Sequence, residues 1–128
     1  MKLLLDTHAL LWFLGGNERL SAQARSAIED LSNQRLFSMA GAWEVAIKVS
    51  LGKLSLHAPF EQLVPGELRA NAIELLPILP QHVIALASLP FHHRDPFDRM
   101  LVAQATVEGA SVVSADPTLD AYEIPRIW

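Results

Sequence analysis

At 128 residues the chain has the length of one domain, and its 51% hydrophobic content supplies one core and excludes an intrinsically disordered chain. The absence of cysteine excludes disulfides, thiolate catalysis and Cys-ligated zinc, and fits a reducing cytoplasm. A net charge of −4 speaks against nucleic acid unless the acids gather around a divalent cation, which inverts the local sign.

Lys2 to Leu5 is a short apolar run that ends at Asp6 and reads as a buried strand. No run approaches the ~20 apolar residues of a membrane span, and Asp6 and His8 cut this one before it becomes a signal-peptide core. A soluble cytoplasmic protein with no membrane contact is therefore expected. His8 to Leu14 predicts a helix closed by Gly15-Gly16, and Ser21 to about Leu31 a second, with Leu20, Ala24, Ala27, Ile28 and Leu31 at helical spacing. Arg35 to Ser38 predicts a second strand. Ala40 to Leu51 predicts a helix with Trp43, Ala46, Ile47 and Leu51 on its packed face, stopped by Gly52.

After a Pro-rich stretch with a predicted helix near Phe60 to Val64, Ile73 to Leu76 reads as a third strand. Gln81 to Leu89 predicts a helix between two prolines, and Asp95-Pro96 opens another that runs to about Val107 before Gly109. Ser111 to Ser114 is a strand, Asp116-Pro117 starts a short helix, and Ile124 to Trp128 closes the chain as a last strand. Alternating strands and helices predict one α/β domain over 1–128, a mostly parallel sheet with helices on both faces.

In such sheets ligands bind beyond the carboxyl ends of the strands, where the following helices also begin. Asp6 and Asp116 follow strands, and Glu44 and Asp98 lie in the first turns of helices that start on that edge. The four can share one rim, where they would hold one or two Mg²⁺ ions against a phosphate. Each acid also has an ordinary reading. Asp6, Asp95 and Asp116 suit helix N-caps, Asp98 suits a capping box, and Glu44 stands four residues before Lys48. Spacing alone does not choose between these readings.

Several segments, in order, resemble the successive motifs of PIN domains, and more narrowly those of VapC-type toxins. They are Leu3-Leu4-Leu5-Asp6-Thr7-His8, Ala42-Trp43-Glu44-Val45-Ala46-Ile47-Lys48, His93 to Ala105 with its Asp95-Pro96-Phe97-Asp98-Arg99 core, and Val113-Ser114-Ala115-Asp116. Ser50 to Leu54 and Ile127-Trp128 are similar to the same branch. The resemblance implies a PIN-like three-layer sandwich that cleaves RNA with Mg²⁺ or Mn²⁺, forms a homodimer and is inhibited by a cognate antitoxin reaching into the groove. By the same match, Asp6 and Asp98 are the central metal ligands, with Glu44 beside them and Asp116 acting directly or through water. Thr7 and Ser114 support the acids. Gly41 departs from the pattern, where relatives often carry Ser, and so removes a hydroxyl near Glu44.

Lys48, Lys53, Arg94 and Arg99 flank these motifs as candidate contacts to RNA phosphates, or as ordinary solvated charges. Trp12 and Phe13 read either as buried in their own domain or as partly facing a partner. His8 reads as a packed histidine. His92 and His93, adjacent in a loop, point apart and cannot share an ion, so they are read as loop or substrate-contact residues with no catalytic role.

Three other functions fit less well. A receiver domain needs an acceptor Asp on a middle strand, and a haloacid-type phosphatase needs an Asp at position 8, which is His8. A catalytically silent PIN-like binding module is expected to lose acids from the site, and DNA flap nucleases are larger. Unpaired or looped RNA is the expected substrate, since duplex RNA hides its bases.

Overall fold

The computed structural model describes residues 1–128. Its centre is a five-stranded sheet in the order β3-β2-β1-β4-β5. The strands are β1 (Lys2–Leu5), β2 (Gln34–Ser38), β3 (Ile73–Leu76), β4 (Ser111–Val113) and β5 (Arg126–Ile127). The helices are α1 (Thr7–Leu14), α2 (Ala22–Glu29), α3 (Met39–Ser50), α4 (Leu68–Ala70), α5 (Pro80–Ala87) and α6 (Pro96–Glu108). All four strand pairings are parallel, so the expected "mostly parallel" sheet is wholly so.

A parallel strand covered on both faces needs apolar side chains at every position, not at alternate ones. β1 meets that demand: Leu3, Leu4 and Leu5 are all buried. Leu3 and Leu5 pack with Leu10, Ala24 and Ile28 of α1 and α2. Leu4 packs on the other face with Leu101, Val102 and Ala105 of α6. This three-layer arrangement is the expected sandwich.

From β1 the chain passes through β2 to β3 on one side, then crosses back so that β4 lies on β1's other side. The order thus reverses at β1. A crevice forms at such a switch point, beyond the strands' carboxyl ends. Asp6 leaves β1 there, and Ser114 and Asp116 leave β4 there.

Two local expectations need correction. The helix expected near Phe60 to Val64 breaks at Val64, whose backbone is extended before the cis bond to Pro65, and helical structure resumes into α4, with Leu63 and Leu68 as buried anchors on either side of the kink. The packed face of α3 is also rotated. Ala40, Ala42 and Val45 are buried, whereas Trp43 and Leu51 are 61% and 60% exposed. Small residues let α3 lie close to its neighbours α1 and α6, and this turns Glu44 toward the crevice.

Gly41 shows how tight that approach is. A Cβ at this position would stand 2.7 Å from Cζ of Phe37, a ring with no room to retreat because it is itself buried. Gly41 therefore belongs to the packing of Phe37. Gly41→Ser is expected to destabilise the fold by about 1–3 kcal/mol through overpacking. Urea unfolding would check this, and a variant as stable as the wild type would show that Phe37 can move.

Candidate active site

Each capping acid divides its two oxygens. Asp6, the N-cap of α1, accepts the Ala9 N–H on Oδ1 at 2.7 Å. Asp95, the N-cap of α6, accepts the N–H groups of Phe97 and Asp98 on Oδ1 at 2.8 and 3.1 Å. Asp116 accepts the Thr118 N–H and hydroxyl on Oδ1 at 3.0 and 2.6 Å. The helix termini hold these carboxylates through one oxygen, leaving the other for the crevice. Capping and site-building are thus done by the same side chains.

Glu44 is held differently. Thr7 Oγ1 donates to its Oε1 at 2.7 Å, and Lys48 Nζ donates to its Oε2 at 2.9 Å. The ordinary helical pairing of Glu44 with Lys48 is therefore real, and it lies inside the site. Asp6, Thr7, His8, Glu44, Lys48, Asp95, Asp98 and Asp116 line one cleft of about 190 Å³ that contains no hydrophobic residue. All four expected acids meet there. So does Asp95, the N-cap of α6.

Ser114 is buried; its hydroxyl accepts the Asp116 N–H at 3.1 Å and lies near enough to the Asp6 carboxyl to lower its pKa. It serves both the acid after β1 and the acid after β4. His93, for which the sequence predicts a loop or substrate contact and no catalytic role, stands between Asp98 and Asp116 with Nε2 3.4 Å from Oδ2 of each. One ligand atom from each of these three residues lies within 4.8 Å of the others. His92 turns away and packs edge-on against Tyr122, so the two histidines do point apart. The only sequence signal for His93 was its place at the head of the Asp95-Asp98 motif.

Arg99 requires a correction. Offered as an RNA contact, it is 7% exposed and donates to the carbonyls of Leu89 and Pro90 at 3.2 and 2.9 Å. It also reaches the Tyr122 hydroxyl at 3.3 Å and stacks 3.8 Å from the centre of the Phe91 ring. Its charge is spent on the loop before α6. His8 is likewise not packed inside; it is exposed and stacks on Trp12. Trp12 and Phe13 are partly buried against the first core cluster, with Trp12 near Trp128. Arg94 and Lys53 are exposed.

The electrostatics record crowded negative charge. Burial pushes the Asp98 carboxyl up to about 6, with Asp95, Glu44 and Asp6 adding to the rise and His93 opposing it. Burial also raises Asp6, against hydrogen bonds from Ser114 and Ala9. Asp116 is lowered, chiefly by the Thr118 hydroxyl. Glu44, in turn, raises Lys48. The raised carboxyls of Asp6 and Asp98, set beside Glu44 and Asp116 in one cleft, fit a hard divalent cation such as Mg²⁺ or Mn²⁺.

A family model described as the PIN domain matches residues 3–125. The chain belongs to the PIN-domain family. This PIN domain is 42% identical over 55 residues to Ribonuclease VapC16 of Mycobacterium tuberculosis, a match covering 40% of the chain and 39% of that protein. Its fold is similar to VapBC2 from Rickettsia felis bound to a promoter DNA fragment, with a TM-score of 0.72 at 14% identity over 98% and 97% of the two chains. It is also similar to VapBC-1 from nontypeable Haemophilus influenzae, with a TM-score of 0.69 at 14% identity over 98% and 96%. At these identities the likeness establishes the three-layer fold. No helix is long and apolar enough to cross a membrane.

Proposed function

We propose that this single PIN domain, spanning 1–128, is a divalent-metal-dependent endoribonuclease and the toxin of a toxin–antitoxin pair. One observation carries the reading: acids from four separate segments present oxygens to a single hydrophilic cleft at the sheet's switch point. Helix caps alone give no reason for that convergence.

Asp6 and Asp98 are the central ligands of the ion, with Glu44 beside them and Asp116 completing the set. A bound Mg²⁺ or Mn²⁺ supplies an acidified water and neutralises charge on the phosphate. The protein's own part is to hold the carboxylates. Thr7 and Lys48 fix both Glu44 oxygens, and Ser114, beside Asp6, accepts the Asp116 backbone N–H. Lys48 sits at the cleft and Arg94 is exposed on the loop before α6; both suit contact with RNA phosphates, which positions a strand without reading its bases.

The ribonuclease relative and the VapBC neighbours support the toxin reading. A cognate antitoxin reaching into the cleft, a homodimer and a cytoplasmic setting follow from it. A silent binding module is disfavoured because none of the four acids is missing or turned away.

The test is cleavage of unpaired and duplex RNA, and of single-stranded DNA, with Mn²⁺, with Mg²⁺ and in chelator. Metal-dependent cutting of unpaired RNA is expected. Cutting that persists in chelator overturns the metal mechanism, and preference for DNA overturns the substrate.

A further inference from the structure

We propose that His93 is a positioning residue of this centre, donating its Nε2–H to Asp98 and Asp116 and not binding the ion itself. The inference rests on the reading of the acidic cleft as a metal site, and it assigns a role that the sequence did not suggest.

The argument begins with the ring's other nitrogen. The backbone N–H of Asp95 donates to His93 Nδ1 at 3.2 Å. An accepting Nδ1 carries a lone pair, so the neutral ring holds its proton on Nε2. That Nε2 lies 3.4 Å from Oδ2 of Asp98 and 3.4 Å from Oδ2 of Asp116. To bind a metal through Nε2, the ring would have to move its proton to Nδ1, where it would meet the Asp95 N–H head-on. The local backbone therefore selects a donor and disfavours a ligand. With Nε2–H between the carboxylates, Asp98 and Asp116 are drawn to one spacing, and their charges repel less.

The loop is built to hold the ring there. The Tyr122 hydroxyl accepts the backbone N–H groups of His92 and His93 at 3.1 and 2.9 Å. Arg99 joins that hydroxyl to the carbonyls of Leu89 and Pro90 and covers Phe91. A buried cation and a tyrosine thus fix the residues on both sides of His92, and His93 is left with little freedom. Partners that orient ligating groups in this way commonly govern metal affinity ~10–100-fold.

The experiment is a Mn²⁺ titration followed by electron paramagnetic resonance, with spin-echo detection of nitrogen bound to the ion. It compares the wild type with His93→Ala and His93→Gln, whose amide places a donor near the same point. Thermal melts in chelator confirm that all three are folded. Expected are no directly bound nitrogen in the wild type, Mn²⁺ affinity weakened about tenfold in His93→Ala, and affinity within about threefold of wild type in His93→Gln. A directly bound nitrogen in the wild type overturns the proposal, as does His93→Ala titrating like wild type or His93→Gln failing to rescue. A wild-type chain that binds no Mn²⁺ overturns the metal centre itself, a failure distinct from any confined to His93.

Discussion

Asp98→Asn is expected to lower RNA cleavage at least about a hundredfold, roughly 3 kcal/mol of transition-state stabilisation, while making the metal-free fold more stable at pH 7. The two effects share one cause. Asp98 is pushed up to about 6 by burial and by neighbouring Asp95, Glu44 and Asp6, so the folded chain holds its proton more tightly than the unfolded chain does. Between about pH 4 and 6 the folded state therefore binds more protons, and its stability falls as pH rises through that window. Above it the ionised Asp98 is a standing cost, which a neutral amide removes. Asp98 is partly exposed and solvent screens the repulsion, so the discounted gain is about 1 kcal/mol, a few degrees in melting temperature.

Thermal melts in chelator at pH 5 and pH 7.5 would check this. The wild type should lose stability between the two, and Asp98→Asn should lose less. Added Mn²⁺ should raise the wild-type melting temperature at pH 7.5 and leave Asp98→Asn almost unmoved, because a ligand that binds only the folded state stabilises it by mass action. A variant less stable than wild type in chelator at pH 7.5 would mean that Asp98 is held by favourable contacts and not strained by like charge.

Arg99→Ala is expected to cost about 3 kcal/mol of folding stability, and Arg99→Lys much of the same. Removing the guanidinium leaves the Leu89 and Pro90 carbonyls and the Tyr122 hydroxyl without their donor, and uncovers Phe91. Hydrogen bonds to a charged group contribute ~1.5–3 kcal/mol each, less what water recovers. An ammonium cannot reproduce the planar fork that reaches two carbonyls at once. Urea denaturation would measure the loss. An RNA-phosphate contact predicts the reverse: unchanged stability, with weaker and less salt-dependent RNA binding.

Arg99 also marks the boundary of what the sequence could say. Beside Asp98 and one turn inside a predicted helix, it had the appearance of a surface cation near an acidic site. Nothing local announced that the loop from Leu89 to Asp95 would fold back over it. Periodicity assigned α3 its helical form but misjudged its packed face. Trp43 is the most hydrophobic-looking member of that helix and is exposed, whereas the smaller Ala42 and Val45 are buried.

By itself, the sequence determined the order of strands and helices, the continuous burial of Leu3-Leu4-Leu5, the capping acids and the motif series that marks the family. These are short-range properties: apolar run length, turn chemistry and cap geometry are set by residues a few places apart. Only the tertiary structure decided where the capping acids converge, which of two adjacent histidines enters the cleft, and what Arg99 binds. A carboxylate caps its helix with one oxygen and serves the site with the other. The second partner lies tens of residues away, brought close by parallel crossovers whose side-chain contacts no local pattern encodes.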